Sequence, residues 1–389
     1  MRKFLNRTSL CLVFLLPIAQ SPAQHVDVDV SACFRMADVL SAMKHGKANA
    51  EVSAMLDSTL DTRPYKTMFR HYNRPFRPNH LPPAVFKRMI LSLAYAGEYS
   101  AGENQRADQM LVQWTKFYDD FPKFLRNLEE LKTTNLSALI NEGVRFAQTW
   151  LPAGWNIPDF YFFIHPDGGS GGFAIDGAQG YDFFRLPRDS SDNIAWNEVV
   201  GIISHESHHL GLKESSPGPM SSSDSLAYDF LTLFVGEGTA TKFVDNAPGG
   251  DVPLVDPARP AGGFAFGGKA VDSLWKVYTL KESDLFASMV ETFERAYSGH
   301  MTEKQLEAET GSYWLGGLKG PAYFVGSEIF GAIVHALGKE GAFVAMQDPR
   351  RIFELYDRAL KSNPELLGRC FVIPDSTVRH ALALVPVQK

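Results

Sequence analysis

Between positions 205 and 209 the chain reads His-Glu-Ser-His-His, two imidazoles four residues apart with a carboxylate directly after the first. On a helix, residues i and i+4 lie about 40° apart on one face, so His205 and His209 can turn their ring nitrogens toward a single metal ion. Glu206 then stands beside the open coordination position, where it can take a proton from a water, and the pattern is that of zinc-assisted hydrolysis. Val199, Val200, Ile202 and Ile203 precede the motif, and Leu210 and Leu212 follow it. This helix is therefore mostly buried, a setting in which unpaired imidazoles and a carboxylate are costly. His208, three positions after His205, is the alternative second ligand.

Catalytic zinc takes three protein ligands and keeps one position open. A third histidine ten positions after the first is excluded, because residue 215 is serine. The following helical stretch supplies a carboxylate instead. Leu226, Phe230, Leu233, Glu237, Ala240 or Thr241, and Val244 form a stripe at helical spacing, with Gly236 and Gly238 flanking the glutamate. A carboxylate on an apolar stripe requires a cation, either a metal ion or a buried arginine, and the glycines let another backbone or a ligand come close.

Two successive helices must carry these side chains. The first is expected from about 193 to 210, with Asp189, Ser190, Ser191 and Asp192 as candidate caps and Gly211 as its stop. The second is expected from about 225 to 244, between a Ser/Pro/Gly loop at 214–224 and a Gly/Pro-rich loop at 247–268. Further helices are expected around 271–298, 321–337 with a close at Gly338, and 349–361. Ahead of the motif, 160–164, 173–175 and 181–186 read as strands of a small sheet. The strand at 181–186 is either an edge to which an extended peptide pairs or an internal strand, and Gly171-Gly172 then makes only a hairpin turn. From about 34 to 150 the pattern is helical, with apolar stripes such as Val85, Phe86, Met89, Ile90 and Leu93, and reads as scaffold. The fold class is therefore α+β and mainly helical: a helical region at 24–150, then a domain at 151–389 that holds the active-site helix pair and the small sheet.

The segment Val199 to Leu210, taken with Gly236-Glu237-Gly238-Thr239-Ala240, resembles the gluzincin zinc metallopeptidases, and in particular a bacterial branch of zinc-dependent peptidases. The resemblance covers about 155–360. It takes in Tyr323-Phe324-Val325-Gly326, similar to a Y-x-x-G helix start in such enzymes, and the ending Asp348-Pro349-Arg350-Arg351-Ile352-Phe353-Glu354-Leu355-Tyr356. It implies one catalytic Zn2+ on His205, His209 and Glu237, Glu206 as general base, a peptide or protein substrate, and Tyr323 as the donor that stabilises the oxyanion. A core tyrosine with a bonded hydroxyl is the alternative for Tyr323. No G-x-M-E-N-type exopeptidase element is visible, so a free-amino-terminus specificity has no support. A zinc hydrolase of a non-peptide amide and a non-catalytic binding protein retaining the fold are the competing functions. Glu206, which a binding-only protein could discard, favours the peptidase.

At 389 residues, with 45% hydrophobic, 12% aromatic and 21% charged residues, the chain can bury a sizeable core, which excludes disorder and a coiled coil. A net charge of −6 without any basic run interleaved with aromatics excludes a nucleic-acid partner. Arg2, Lys3 and Arg7 precede an apolar run from Leu10 to Ala19 and then Ser21-Pro22-Ala23, the pattern of a cleaved signal peptide at 1–23 and of a secreted or periplasmic bacterial protein. No later apolar stretch is expected to span a bilayer, so the mature form should not insert in a membrane. Cys33 and Cys370 remain after cleavage, either bridged or as two buried thiols.

Overall fold

A computed structural model of the chain describes residues 25–74, 80–169, 171–212, 220–248 and 269–384. The signal peptide expected at 1–23 lies outside the described residues, as does most of the 247–268 loop. Strand β1 (Val26–Asp29) and helices α1 (Ser31–Lys44), α2 (Asn49–Leu60), α3 (Arg63–Tyr72), α4 (Pro83–Leu91), α5 (Gln105–Asp119), α6 (Phe121–Thr133) and α7 (Leu136–Gln148) come first. Strands β2 (Phe160–His165), β3 (Gly172–Ile175) and β4 (Ala178–Asp182) follow, then α8 (Trp196–Gly211) and α9 (Ser222–Thr239). The chain continues through α10 (Lys269–Leu280), α11 (Glu282–Tyr297), α12 (Glu303–Glu309), α13 (Pro321–Gln347), α14 (Ile352–Ser362), α15 (Pro364–Leu367) and α16 (Asp375–Ala383). The fold is mainly helical α+β with one small mixed sheet, as the sequence implies.

The sheet runs β1-β2-β4-β3, with β2 parallel to β1 and β4, and β3 antiparallel to β4. Phe160 to Ile164 are buried on both faces, which is why this aromatic run occupies a central strand. The strand expected at 181–186 is instead β4 at 178–182, followed by a 3-10 turn at Phe183–Arg185, and it is internal; β1 and β3 are the edges. β4 escapes recognition because its Ala-Gln-Gly-Tyr-Asp sequence has no β-branched residue. Gly180 is required there, since a Cβ would stand 2.5 Å from Phe173 Cζ and 2.6 Å from Phe163 Cζ. The hairpin turn lies at Asp176-Gly177, both with positive φ (47° and 69°), a two-residue Asp-Gly turn, whereas Gly172 opens β3.

Among the described residues, buried side chains gather in two hydrophobic cores. The first joins α1 to α7, the sheet and the start of α8 through Val199, Ile202 and Ile203, and it is continuous across residue 150. The second begins with Ala227 on α9 and takes in the helices that follow. Cys33 belongs to the first and Cys370 to the second, and both are free buried thiols, which overturns the bridge; Cys33 Sγ donates to the Ile164 carbonyl at 3.3 Å.

α13 packs on α9 and α14, and Gly338, at φ 73°, breaks it where a helix end is expected. By length and composition this helix could cross a membrane, and half of its most apolar stretch is buried inside the protein. The sequence reading does not foresee it, because Glu328, Lys339 and Glu340 interrupt the apolar run.

Candidate metal centre

α8 is fixed from three sides. At its start, the Glu130 carboxylate accepts from the Ile194 backbone N–H (3.1 Å) and from Trp196 Nε1 (3.0 Å). The helix consequently begins at Trp196 rather than near 193, and Asp189 closes the preceding turn by accepting from the N–H groups of Ser191 and Asn193. Against α7 the helix rides on Gly143, where a Cβ would lie 2.8 Å from Ile203 Cγ2. From the sheet, Tyr181 donates to Gln179 Oε1 (2.8 Å) and Gln179 Nε2 donates to Ser207 Oγ (2.9 Å), which sets the rotation of α8 about its axis.

α9 begins with Ser221 accepting from the Asp224 N–H at 3.1 Å. At the other end Gly238 meets Gly326 of α13 backbone to backbone, and a Cβ on Gly238 would be 2.6 Å from the Gly326 carbonyl carbon. Gly236 lies beneath His209, with 3.7 Å between its Cβ position and His209 Nδ1. Of the two flanking glycines, Gly238 is required for close approach to a backbone, whereas Gly236 leaves ordinary contact room beside the His209 ring.

These constraints bring His205, His209 and Glu237 together. Nε2 of His205 and Nε2 of His209 are 3.1 Å apart, and Glu237 Oε2 lies 3.6 Å from the first and 3.5 Å from the second. Among the described residues this is the one group of three potential ligand atoms, all within 4.8 Å of one another. Glu237 Oε2 is buried with no hydrogen-bond partner. An orphaned carboxylate oxygen facing two imidazole nitrogens is the donor set of a three-ligand zinc site, so the residues fit the ion.

The electrostatics agree with the geometry. Burial alone would raise the Glu237 carboxyl, but the imidazoles of His209 and His205 reverse this and hold it well below the usual carboxylate range. Burial pushes His205 down, and the Asp245 carboxylate at 3.0 Å from Nδ1 carries it up to about 10. Glu206 is buried beside the pair, and burial raises its carboxyl against the opposing pull of the two histidines. His208, the alternative second ligand, lies outside this group: its Nε2 lies 3.2 Å from the Trp150 carbonyl oxygen, and burial presses its imidazole down to about 3.

Two residues of the centre are absent from the sequence reading. Asp245 follows a π-helical turn at Ala240–Val244 and holds His205 Nδ1, the outer partner that metal-binding histidines usually have. Lys319 places Nζ 3.2 Å from Asp245 Oδ2 and 4.7 Å from the centre of the Tyr323 ring. Tyr323 itself lies in the first turn of α13, linked to the ligands through Lys319 and Asp245. The remaining histidines weighed from the sequence stand elsewhere: His165 pairs with Asp167 at 3.2 Å, His300 with Ser298 at 3.0 Å and His380 with Glu294 at 2.8 Å, while His335 is not part of the group.

No curated protein and no solved structure matches the chain. Residues 56–365 match a family described as "Putative zinc dependent peptidase (DUF5700)", a span that runs from α2 to α15 and includes His205, Glu206, His209, Glu237 and Tyr323. With that span covering most of the 389 residues and a zinc-type donor set at its centre, the chain belongs to this zinc-dependent peptidase family.

Proposed function

We propose that the protein is a secreted or periplasmic metallopeptidase of the gluzincin type, which hydrolyses peptide bonds by water activation. The observation that carries this reading is the convergence of His205 Nε2, His209 Nε2 and Glu237 Oε2 next to a buried Glu206. One zinc ion held by these three residues would lower the pKa of a water toward about 7 and polarise the scissile carbonyl. Glu206 takes the proton from the attacking water and passes it to the leaving amine, and burial raises its carboxyl in the direction such a base needs. Tyr323 donates its phenolic hydrogen to the oxyanion, a role supported by the resemblance and by its link to Lys319 at the edge of the centre.

β1 and β3 are the two edges of the sheet, and the substrate's main chain would pair with β3, the edge that packs against α8. Gly172 of β3 lies against Ile202, one turn before Glu206 on α8, with 3.3 Å between its Cβ position and Ile202 Cγ2. An extended peptide paired there would run past Glu206. Ala174, further along, already accepts from Arg74 at 3.0 Å, which marks the end of the edge that a peptide can use. The basic and then apolar N-terminus supports export.

Metal analysis of the purified protein and of Glu237→Ala tests the reading. Close to one equivalent of zinc in the wild type, lost in the variant, is expected. Less than a tenth of an equivalent in the wild type after growth in zinc-replete medium, or normal zinc in Glu237→Ala, would overturn it.

A further inference from the structure

Lys319 is buried, 7% exposed, next to a centre built for a dication, where electrostatics alone disfavours a cation. Its position is held firmly. The Tyr278 hydroxyl donates to the Lys319 carbonyl at 2.9 Å. The glycines around it fold the chain back on itself: a Cβ on Gly316 would stand 2.1 Å from the Ser312 carbonyl oxygen, and one on Gly320 2.2 Å from that of Trp314. With this backbone fixed, Nζ reaches Asp245 Oδ2, the same oxygen that faces His205 Nδ1.

We infer that Lys319 is a positioning residue for the metal centre, acting through Asp245. An aspartate has two rotatable side-chain bonds, and one hydrogen bond from His205 leaves its carboxylate free to swing about that contact. The ammonium group meets that same oxygen, Oδ2, from a second direction and so fixes where it stands. Asp245 then accepts from His205 Nδ1–H in one orientation, which keeps the His205 proton on Nδ1 and leaves Nε2 bare for the metal. The same ammonium covers the Tyr323 ring, so one side chain spans from the outer partner of a ligand to the first turn of α13. Tyr278 and the 316–320 turn thereby contribute to the aim of a histidine that neither touches. This inference rests on the metal-centre reading above.

The Nδ1 proton of His205 reports on it directly. In zinc-loaded, 15N-histidine-labelled protein this proton should give a protected downfield resonance, and Asp245→Ala should remove it, which assigns it. Lys319→Met, which removes the second contact to Asp245 Oδ2, is expected to speed its exchange with water several-fold. Lys319→Gln, which keeps a donor without the charge, is run in parallel and should speed exchange at least threefold, so that one poorly folding variant does not decide the matter. Exchange within twofold of wild type in the folded Lys319 variants overturns the inference. So does a fall in thermal stability with the resonance intact, which would mark a purely structural ion pair. A wild type that takes up no zinc instead overturns the metal-centre reading itself.

Discussion

Replacing Gly238 with alanine probes the contact that brings Glu237 into place beside His205 and His209. The added Cβ would stand 2.6 Å from the Gly326 carbonyl carbon and 2.7 Å from its Cα. Carbon atoms normally approach to about 3.5–4.0 Å, so α9 and α13 must part by roughly 1 Å. Overpacking of this kind costs about 1–3 kcal/mol, and the upper end applies because backbone rather than a flexible side chain is met. Alanine contributes about 1 kcal/mol over glycine inside a helix, which leaves a net loss of about 2 kcal/mol. Gly236→Ala, two residues earlier on the same helix, is the control: its Cβ would lie 3.7 Å from His209 Nδ1, an ordinary contact, so only the helix-propensity gain of about 1 kcal/mol remains. The two variants should therefore differ by about 3 kcal/mol in opposite directions from wild type. Urea denaturation of metal-stripped protein, followed by circular dichroism, measures this without a contribution from zinc. Equal midpoints for the two variants would refute the idea that the glycine pair sets the helix crossing.

Three further outcomes are expected. Glu206→Gln should retain zinc and lose about 10²–10⁴-fold in kcat, the usual contribution of a general base, as read by metal analysis and peptide cleavage. Tyr323→Phe should lower kcat by about 10²-fold with KM and zinc content little changed; a kcat within about threefold of wild type, with reduced thermal stability, would return Tyr323 to the core. His208 is held neutral by burial, its pKa pressed from 6.5 to about 3, so it adds stability that is present above its unfolded pKa and lost as pH falls toward the folded one. Relative to His208→Gln, metal-stripped wild type should lose about 1.4 kcal/mol per pH unit between about pH 6 and pH 4 in denaturation experiments; parallel curves would contradict this.

The convergence of His205, His209 and Glu237 was legible because each of these residues carries a local signal. His205, Glu206 and His209 have fixed spacing on a buried helix, and Glu237 interrupts an apolar stripe between two glycines. Asp245 has no such signal. In a regular helix, residue 244 stands about 20° from Glu237, seven positions on, whereas residue 245 is rotated by about 80°. The π turn at 240–244 takes up one extra residue, so Asp245 arrives on the Glu237 face where Val244 is expected. Lys319 is hidden for a different reason: a lone lysine in a glycine-rich stretch has no periodicity to say where it points. Among the strands, β2 is evident from its aromatic run, while β1, only four residues long, and β4, poor in strand-forming residues, depend on neighbours distant in sequence.

The position of the ligands relative to the two cores has a consequence for the order of events in folding. His205 and His209 project from a helix anchored in the first core by Val199, Ile202 and Ile203, whereas Glu237 extends from a helix anchored in the second by Phe234 and Val235. A chain with only its first core in place offers two imidazoles and no carboxylate, and binds a metal ion far more weakly than the complete set does. On the proposed reading, the complete donor set would therefore form only when both cores have folded and met. A partly folded chain would then not present the complete set to its own exposed segments, because the three residues are divided between the two cores.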